Sequence, residues 1–286
     1  MDIYTLYVGQ GSLAAVRSGD EALIIDAHMP NCDEDDVMQE QIEQSLQVYL
    51  SKSKVRGLIL TGFDRDHACP AGVESILTKY LPDWIMYPKY FKDTDTASEV
   101  FAIIARHEKN RARTAKPLAR KSMRVDRVDD RTFDGLARHF SFELFSPHME
   151  DMDSSNNSSL VIRLAGLDQS GFSYLITGDT ERERWDIINR IFGPYLASDV
   201  LAAPHHGALS GINAGTLMLV NPHTVLISAG VDNSYGHPDG VAVEAYSKVA
   251  KCVFSTHAND GCCLFTRRVG DELQTRTVSH PAPTNA

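Results

Sequence analysis

The chain has 286 residues and a formal net charge of −10, with 43% hydrophobic and 23% charged residues. This composition is typical of a folded globular protein and excludes a disordered or collagen-like chain. The acidic balance argues against a protein that coats nucleic acid through its overall charge, but it is compatible with a local basic surface.

Membrane and secretory segments are not expected. No apolar run reaches the roughly 18–20 residues that cross a bilayer, and residues 1–4 lack the basic start of a secretory signal. The five cysteines include no C-x-x-C pair, which predicts reduced thiols and no structural zinc knuckle. We therefore expect a cytoplasmic protein with no membrane partner.

Apolar and alternating runs predict two β-rich halves, each with helices. In the first half we expect strands at 3–8, 12–17, 22–26, 55–61 and 84–87, and helices at 34–50, 71–81 and from 96 onward. In the second half we expect strands at 140–145, 160–164, 172–177, 200–203, 225–228, 253–256 and 263–267, and helices at 181–192 and 241–250. Two packed sheets with helices outside them follow from this pattern.

The domain organisation is predicted from composition. No linker rich in Gly, Ser or Pro divides the chain, so we expect a single domain over residues 1–278 and a frayed tail at 279–286. Residues 94–127 form the strongly basic stretch and are predicted as a helical insertion. Within it, Arg111, Arg113 and Lys116 are predicted to bind a phosphate backbone, although a solvated helix face explains the same pattern.

The strongest chemical signal is the loop at residues 61–67. It follows an apolar strand and places Asp64, Asp66 and His67 within four residues. Two carboxylates and an imidazole at one strand end would be poorly satisfied without a cation. We predict a metal-binding loop; the alternative is an acidic, solvated turn.

Three further loops follow predicted strands and carry candidate ligands. Asp179 comes after Gly178, the pair His205 and His206 comes after Pro204, and His237 lies between Gly236 and Pro238. Neighbouring histidines can supply one ligand and one proton donor, and a histidine beside proline has a restricted backbone. Each of these loops, taken singly, is equally typical of an ordinary turn.

In this order, the segments resemble the metallo-β-lactamase fold, and most of all the hydrolase domain of ComEC-type competence proteins and their stand-alone relatives. The matching segments are 7–12, 23–26, 61–72, 155–160, 175–179, 203–208, 227–238 and 255–261. The resemblance implies an α/β (α+β) fold, a four-layer αββα sandwich with a metal site at one edge of the two sheets. It also implies metal-dependent hydrolysis, and in the ComEC-like branch the cleavage of phosphodiester bonds in DNA.

Site residues carry over from the resemblance one by one. Asp64, Asp66 and His67 match the metal-binding loop, and Asp179 matches the carboxylate that usually bridges two metals. Asp26 matches an acidic residue that supports this loop without binding metal.

The histidine motif of the branch matches either His205 or His206, and the late histidine matches His237. The resemblance thus implies one or two divalent ions, zinc or manganese. We assign the metal ligands as Asp64, Asp66, His67, Asp179, His205 and His237. Two catalytic roles are expected: Asp66 orients the nucleophile, and His206 protonates the leaving group.

One position departs from the family pattern. Most members have a histidine two residues before Asp64, where this chain has Gly62. Three outcomes are open: one metal binds tightly and the other arrives with substrate; His148, Asn157 or water fills the gap; or catalysis has been lost and the scaffold kept.

Three functions are consistent with these residues. A bound divalent cation lowers the pKa of water to about 7 and so provides hydroxide at neutral pH. The first hypothesis is a phosphodiesterase or nuclease that acts on DNA or RNA. The second is a hydrolase of a cyclic nucleotide, lactone or thioester. The third is a degraded scaffold that acts with protein partners.

Overall fold

The computed structural model describes residues 1–30, 32–90, 92–149 and 154–281. The helices are α1 (Cys32–Leu50), α2 (Pro70–Lys79), α3 (Asp95–Arg111), α4 (Arg182–Phe192), α5 (Ala214–Val220) and α6 (Gly240–Val249). The first strands are β1 (Asp2–Thr5), β2 (Ala14–Ser18), β3 (Glu21–Ile25), β4 (Lys54–Ile59), β5 (Trp84–Pro88), β6 (Ala119–Met123) and β7 (Phe140–Ser146). They are followed by β8 (Val161–Gly166), β9 (Ser173–Ile176), β10 (Val200–Ala202), β11 (Thr224–Ile227), β12 (Cys252–Ser255), β13 (Cys263–Val269) and β14 (Glu272–Val278).

These strands form two mixed sheets. The larger has eight strands in the order β14-β13-β1-β2-β3-β4-β5-β6, and the smaller has six in the order β12-β11-β10-β9-β8-β7. Strands β3 to β6 are parallel, as are β9 to β12. Parallel strands present their carboxyl ends at one edge of a sheet, where ligand sites of such sheets lie. The loops after β4, β9, β10 and β11 are therefore available to build one site.

Neighbouring residues on a strand point to opposite faces, and this alternation builds the layers. In the larger sheet, Leu58 packs towards the helices while Ile59 packs between the sheets. In the smaller sheet, Ile176 joins the core between the sheets while Leu175 packs under the other helices. The result is the predicted four-layer αββα sandwich, and the predicted fold class is confirmed.

Most predicted elements are present, but β6, β14 and α5 were not predicted. Strand β6, with the sequence ARKSM, and strand β14, with the sequence ELQTRTV, both lie at the outer edges of the larger sheet. Edge strands have few buried side chains and therefore lack the apolar runs that predict strands. Residues 94–127 include α3 and β6, so this basic segment adds a strand to the larger sheet.

The predicted tail is described only in part. His280, in this tail, is held by two contacts. Its Nδ1 is hydrogen-bonded to Ser45 Oγ at 2.7 Å, and its Nε2 lies 2.7 Å from the carbonyl oxygen of Tyr7. Residues 282–286 lie outside the described residues. Within the described part of the chain, no helix has both the length and the apolar character that a membrane crossing requires.

Candidate metal centre

Four side chains from three strand-end loops meet at the edge of the sandwich. Asp66 and His67 follow β4, Asp179 follows β9 and His206 follows β10, and one ligand atom of each lies within 4.8 Å of all the others. His67 Nε2 is 2.9 Å from Asp179 Oδ1, and His206 Nε2 is 3.3 Å from Asp66 Oδ2. Among the described residues this is the one group of three or more potential ligands. We call it the four-ligand group.

His67 is oriented by a buried carboxylate. Its Nδ1 lies 2.9 Å from Asp26 Oδ2, and Asp26 Oδ1 also accepts hydrogen bonds from Thr61 N at 2.7 Å and Thr61 Oγ1 at 2.9 Å. Because a carboxylate accepts, Nδ1 carries a proton towards Asp26, and Nε2 faces Asp179, where a metal can take the place of its proton. Asp26 thus contacts the loop at both Thr61 and His67, as the resemblance implied.

His206 is oriented by an unusual turn. In the turn Pro204–Gly207, His205 has φ of +50° and His206 has φ of +55°. Non-glycine residues rarely adopt this left-handed region, and such strain is concentrated at functional sites. The turn directs Nδ1 of His206 to the carbonyl oxygen of Ser228 at 2.8 Å, so Nδ1 is the donor. Nε2 is buried and has no hydrogen-bond partner among the residues that the structure describes.

The charges of the group support a cation between these side chains. Burial alone would lower the pKa of His67, but Asp179, Asp26 and Asp66 outweigh it and raise this pKa well above its usual value. Burial would also lower the pKa of His206, but Asp179 outweighs it and raises this pKa above its usual value. Burial would raise the pKa of Asp66, but His67 and His206 lower it. Without a metal, protons on the imidazoles balance the carboxylates, and a divalent cation can replace them. The four residues therefore fit a divalent metal.

Three members of the four-ligand group, Asp66, Asp179 and His206, line an open cleft of about 450 Å³. Its walls include Asp64, Arg65, His205, Tyr235 and His237. The cleft gives a substrate access to the predicted metal position, and Arg65 is a cation at the cleft that the sequence did not single out.

Comparison with solved structures identifies the fold. The chain superimposes on Igni18, described as a novel metallo hydrolase from the hyperthermophilic archaeon Ignicoccus hospitalis, with a TM-score of 0.52 and 13% identity over 98% of this chain and 100% of that one. The chain has the metallo-β-lactamase fold. At this level of identity the similarity shows the fold alone.

Curated relatives agree with the ComEC-like resemblance of the sequence. The chain is 32% identical over 122 residues to ComE operon protein 3 of Bacillus subtilis and 30% identical over 97 residues to competence protein ComA of Neisseria gonorrhoeae. These matches cover 43% and 34% of the chain but 15% and 14% of the two relatives. No protein-family model matches the chain.

In this metallo-β-lactamase fold the two neighbouring histidines lie in different places. His206 belongs to the four-ligand group, whereas His205 lies at the rim of the cleft. His205 Nδ1 is 3.1 Å from Ser210 Oγ and 3.5 Å from Glu181 Oε1. The left-handed turn sends the second side chain inwards, which favours His206 over His205 as the ligand, the reverse of the assignment from the sequence.

Two other predicted ligands lie in the cleft but outside the four-ligand group. His237 has its ring centroid 5.8 Å from that of His205, and its Nδ1 is buried without a hydrogen-bond partner in the described part of the chain. Burial, together with His205 and His206, lowers the pKa of His237. Asp64 is paired instead with the ammonium of Lys92 and accepts a hydrogen bond from Ser155 Oγ at 2.5 Å.

Both residues proposed to replace the missing histidine have contacts with other residues. Asn157 Oδ1 accepts a hydrogen bond from the backbone N–H of Glu181 at 3.1 Å, and His148 contacts Arg184. A Cβ at Gly62 would have no heavy atom within 4 Å, so the space for a side chain there is open.

The predicted phosphate-binding residues lie away from the cleft. Arg111 is buried and donates hydrogen bonds to the carbonyl oxygens of Lys116 at 2.7 Å and Pro82 at 2.8 Å. Arg113 is exposed in the same connection, which leads into the amino end of β6. The candidate metal centre lies after the carboxyl end of the parallel strand β4, whereas the connection that contains Arg113 lies at the amino ends of the same strands. The length of a six-residue strand, roughly 20 Å, therefore separates this connection from the metal centre. Arg111 is a structural residue, and this placement speaks against the predicted substrate site at Arg111, Arg113 and Lys116.

Proposed function

We propose that the chain is a metal-dependent phosphodiesterase that cleaves DNA or RNA. The observation that carries this proposal is the four-ligand group at an open cleft. Two carboxylates and two imidazoles, whose Nε2 atoms are turned inwards by hydrogen bonds at Nδ1, form a donor set suited to zinc or manganese. The choice of nucleic acid rests on the ComEC-like resemblance of the sequence.

The metal would be held by Asp66, His67, Asp179 and His206. When bound, a divalent ion supplies an activated water nucleophile and neutralises charge on the phosphoryl oxygens. Asp66, which has 30% of its side chain exposed, is the ligand that reaches furthest towards solvent and can orient the water.

His205 is placed to act as the general acid. Its side chain is partly exposed at the cleft, and the carboxylate of Glu181 lies 3.5 Å from Nδ1. An imidazole held at this position is within reach of a substrate in the cleft and can serve as the proton donor to a leaving alkoxide. The pair of histidines thus supplies one ligand and one acid, as expected from the sequence, but in the reverse order.

A smaller phosphodiester such as a cyclic nucleotide is the second candidate substrate. Arg113 and Lys116 lie at the amino ends of the parallel strands, away from the cleft, and so provide no track for a polymer beside it. This placement favours the smaller substrate. A cyclic nucleotide needs only the cleft itself.

The test combines metal analysis with two substrates. Protein loaded with Mn²⁺ or Zn²⁺ is expected to bind at least one equivalent and to hydrolyse both single-stranded DNA and bis(p-nitrophenyl) phosphate. An Asp179→Ala variant serves as the inactive control. Hydrolysis of the aryl diester without cleavage of DNA would favour the smaller substrate. Less than one equivalent of metal and no turnover would contradict the proposal and support a scaffold role.

A further inference from the structure

Lys92 forms an ion pair at the edge of the candidate metal centre. It lies between β5 and α3, just before Thr94, which caps α3. Its ammonium contacts Asp64 Oδ1, and both side chains are mostly shielded, with 26% and 29% of their surfaces exposed. A long side chain held this way adds a fixed positive charge beside the cleft.

Asp64 has no oxygen left without a partner. Lys92 takes Oδ1, and Ser155 Oγ donates to Oδ2 at 2.5 Å. Asp64 nevertheless lines the same cleft as the four-ligand group. A carboxylate at such a place is a potential metal ligand, but here its charge is already neutralised by an ammonium.

Among the described residues, no further ligand joins Asp64. Gly62 offers no side chain, Asn157 binds the N–H of Glu181, and His148 contacts Arg184. One carboxylate that is already ion-paired is a poor ligand set for a transition metal, which normally takes three or more protein ligands. A cation that approached Asp64 would also meet the positive charge of Lys92.

We propose that Lys92 is a built-in second cation that takes the place of a second metal at Asp64, so that the centre holds a single metal ion. The proposal rests on the proposed function for its use in catalysis, because the ammonium then supplies the second positive charge beside the phosphoryl group. A lysine ammonium has three N–H donors, and Asp64 engages one of them.

The test measures how many metal ions are bound when both obstacles to a second ion are removed. The variants are Gly62→His, Lys92→Met, and the two combined. Lys89→Met combined with Gly62→His is the matched control, since Lys89 is an exposed lysine three residues earlier. Bound Mn²⁺ and Zn²⁺ are counted by elemental mass spectrometry after dialysis against excess metal, and thermal unfolding verifies the fold of each variant.

We expect one equivalent in the natural chain, in Gly62→His and in the Lys89 control, and two equivalents in the Gly62→His, Lys92→Met double variant. An additional Gly62→His, Lys92→Arg variant should return to one equivalent because the charge is restored. Two equivalents in the natural chain, or only one in a folded double variant, would overturn the proposal.

The failure of this inference can be distinguished from that of the proposed function. A natural chain that binds one metal but hydrolyses no phosphodiester contradicts the function and leaves the inference standing. A natural chain that binds two metals and hydrolyses phosphodiesters contradicts the inference and supports the function. A chain that binds none contradicts both.

Discussion

The two sides of the cleft contain similar residue types but differ in what their neighbours do. On one side, hydrogen bonds at Nδ1 direct the Nε2 atoms of His67 and His206 at two carboxylates, where a metal can displace their protons. On the other side, Lys92 and Ser155 occupy both oxygens of Asp64. Residue type alone therefore does not make a metal ligand. The second layer of contacts decides whether a donor atom is available.

The largest expected effect comes from removing a ligand of the four-ligand group. Asp66→Ala should abolish metal-dependent turnover and weaken metal binding by more than about 100-fold, which is beyond the usual effect of losing an outer contact. The fold should survive, since the Asp66 side chain is 30% exposed. Metal titration and circular dichroism check both points.

Asp130→Ala, which removes an exposed carboxylate, is the control for this variant. Turnover and metal affinity should remain at the level of the natural chain. If Asp66→Ala also retained them, the four-ligand group would have no part in metal binding.

A smaller effect is expected from the contact behind His67. Asp26→Asn keeps an oxygen for Thr61 but presents an amide N–H to Nδ1, which favours the tautomer with the proton on Nε2. We expect metal affinity to fall by about 10–100-fold. Asp26 has φ of +57°, a conformation that asparagine tolerates, so the backbone should be retained. Competition with a chelator measures the loss, and an unchanged affinity would remove Asp26 from the metal site.

The protons on the four-ligand group predict how metal binding depends on pH. The pKa of His67 and that of His206 are raised, the first well above its usual value, by the neighbouring carboxylates acting against burial. A metal must displace these protons, so affinity should rise with pH, by about tenfold per unit for each proton released, until pH passes the raised values. The stability of the metal-free protein should change with pH in the opposite direction. The contribution of the protonated histidines to this stability is present at low pH and is lost as pH rises through the raised pKa values. Titrations from pH 6 to 9 measure the slope, and a flat profile would contradict this account.

The sequence predicted the parts of the site that depend on local pattern. Asp66, His67 and Asp179 each follow an apolar strand, and the carboxyl ends of parallel strands meet at one edge. The choice between His205 and His206 depends on two left-handed residues in a turn, a backbone conformation that no local pattern indicated. Lys92 was missed because it reaches Asp64 only through the packing of the β5–α3 connection against the loop after β4.

The same division applies to the fold. Strands such as β3 and β4, buried by packing on both faces, have apolar runs that reveal them in the sequence. The edge strands β6 and β14 are largely polar, and the sheet in which they pair becomes visible only in three dimensions. The basic character of residues 94–127 suggested a surface next to the substrate, but charge composition contains no information about which edge of a sheet a loop occupies.

The smallest effect is expected from Arg113 and Lys116, at the amino ends of the parallel strands. Replacing Arg113 and Lys116 together by alanine should change kcat/KM on single-stranded DNA at low salt by less than about twofold, because a six-residue strand separates their loop from the metal centre. Arg65→Ala is the matched comparison: it also removes a cation, but one that lines the cleft, and its loss should weaken phosphate binding by about tenfold and reduce the salt dependence. If the double replacement lowered kcat/KM as much as Arg65→Ala does, the nucleic acid would have to extend across the whole sheet. A polymer substrate would then be favoured over a cyclic nucleotide.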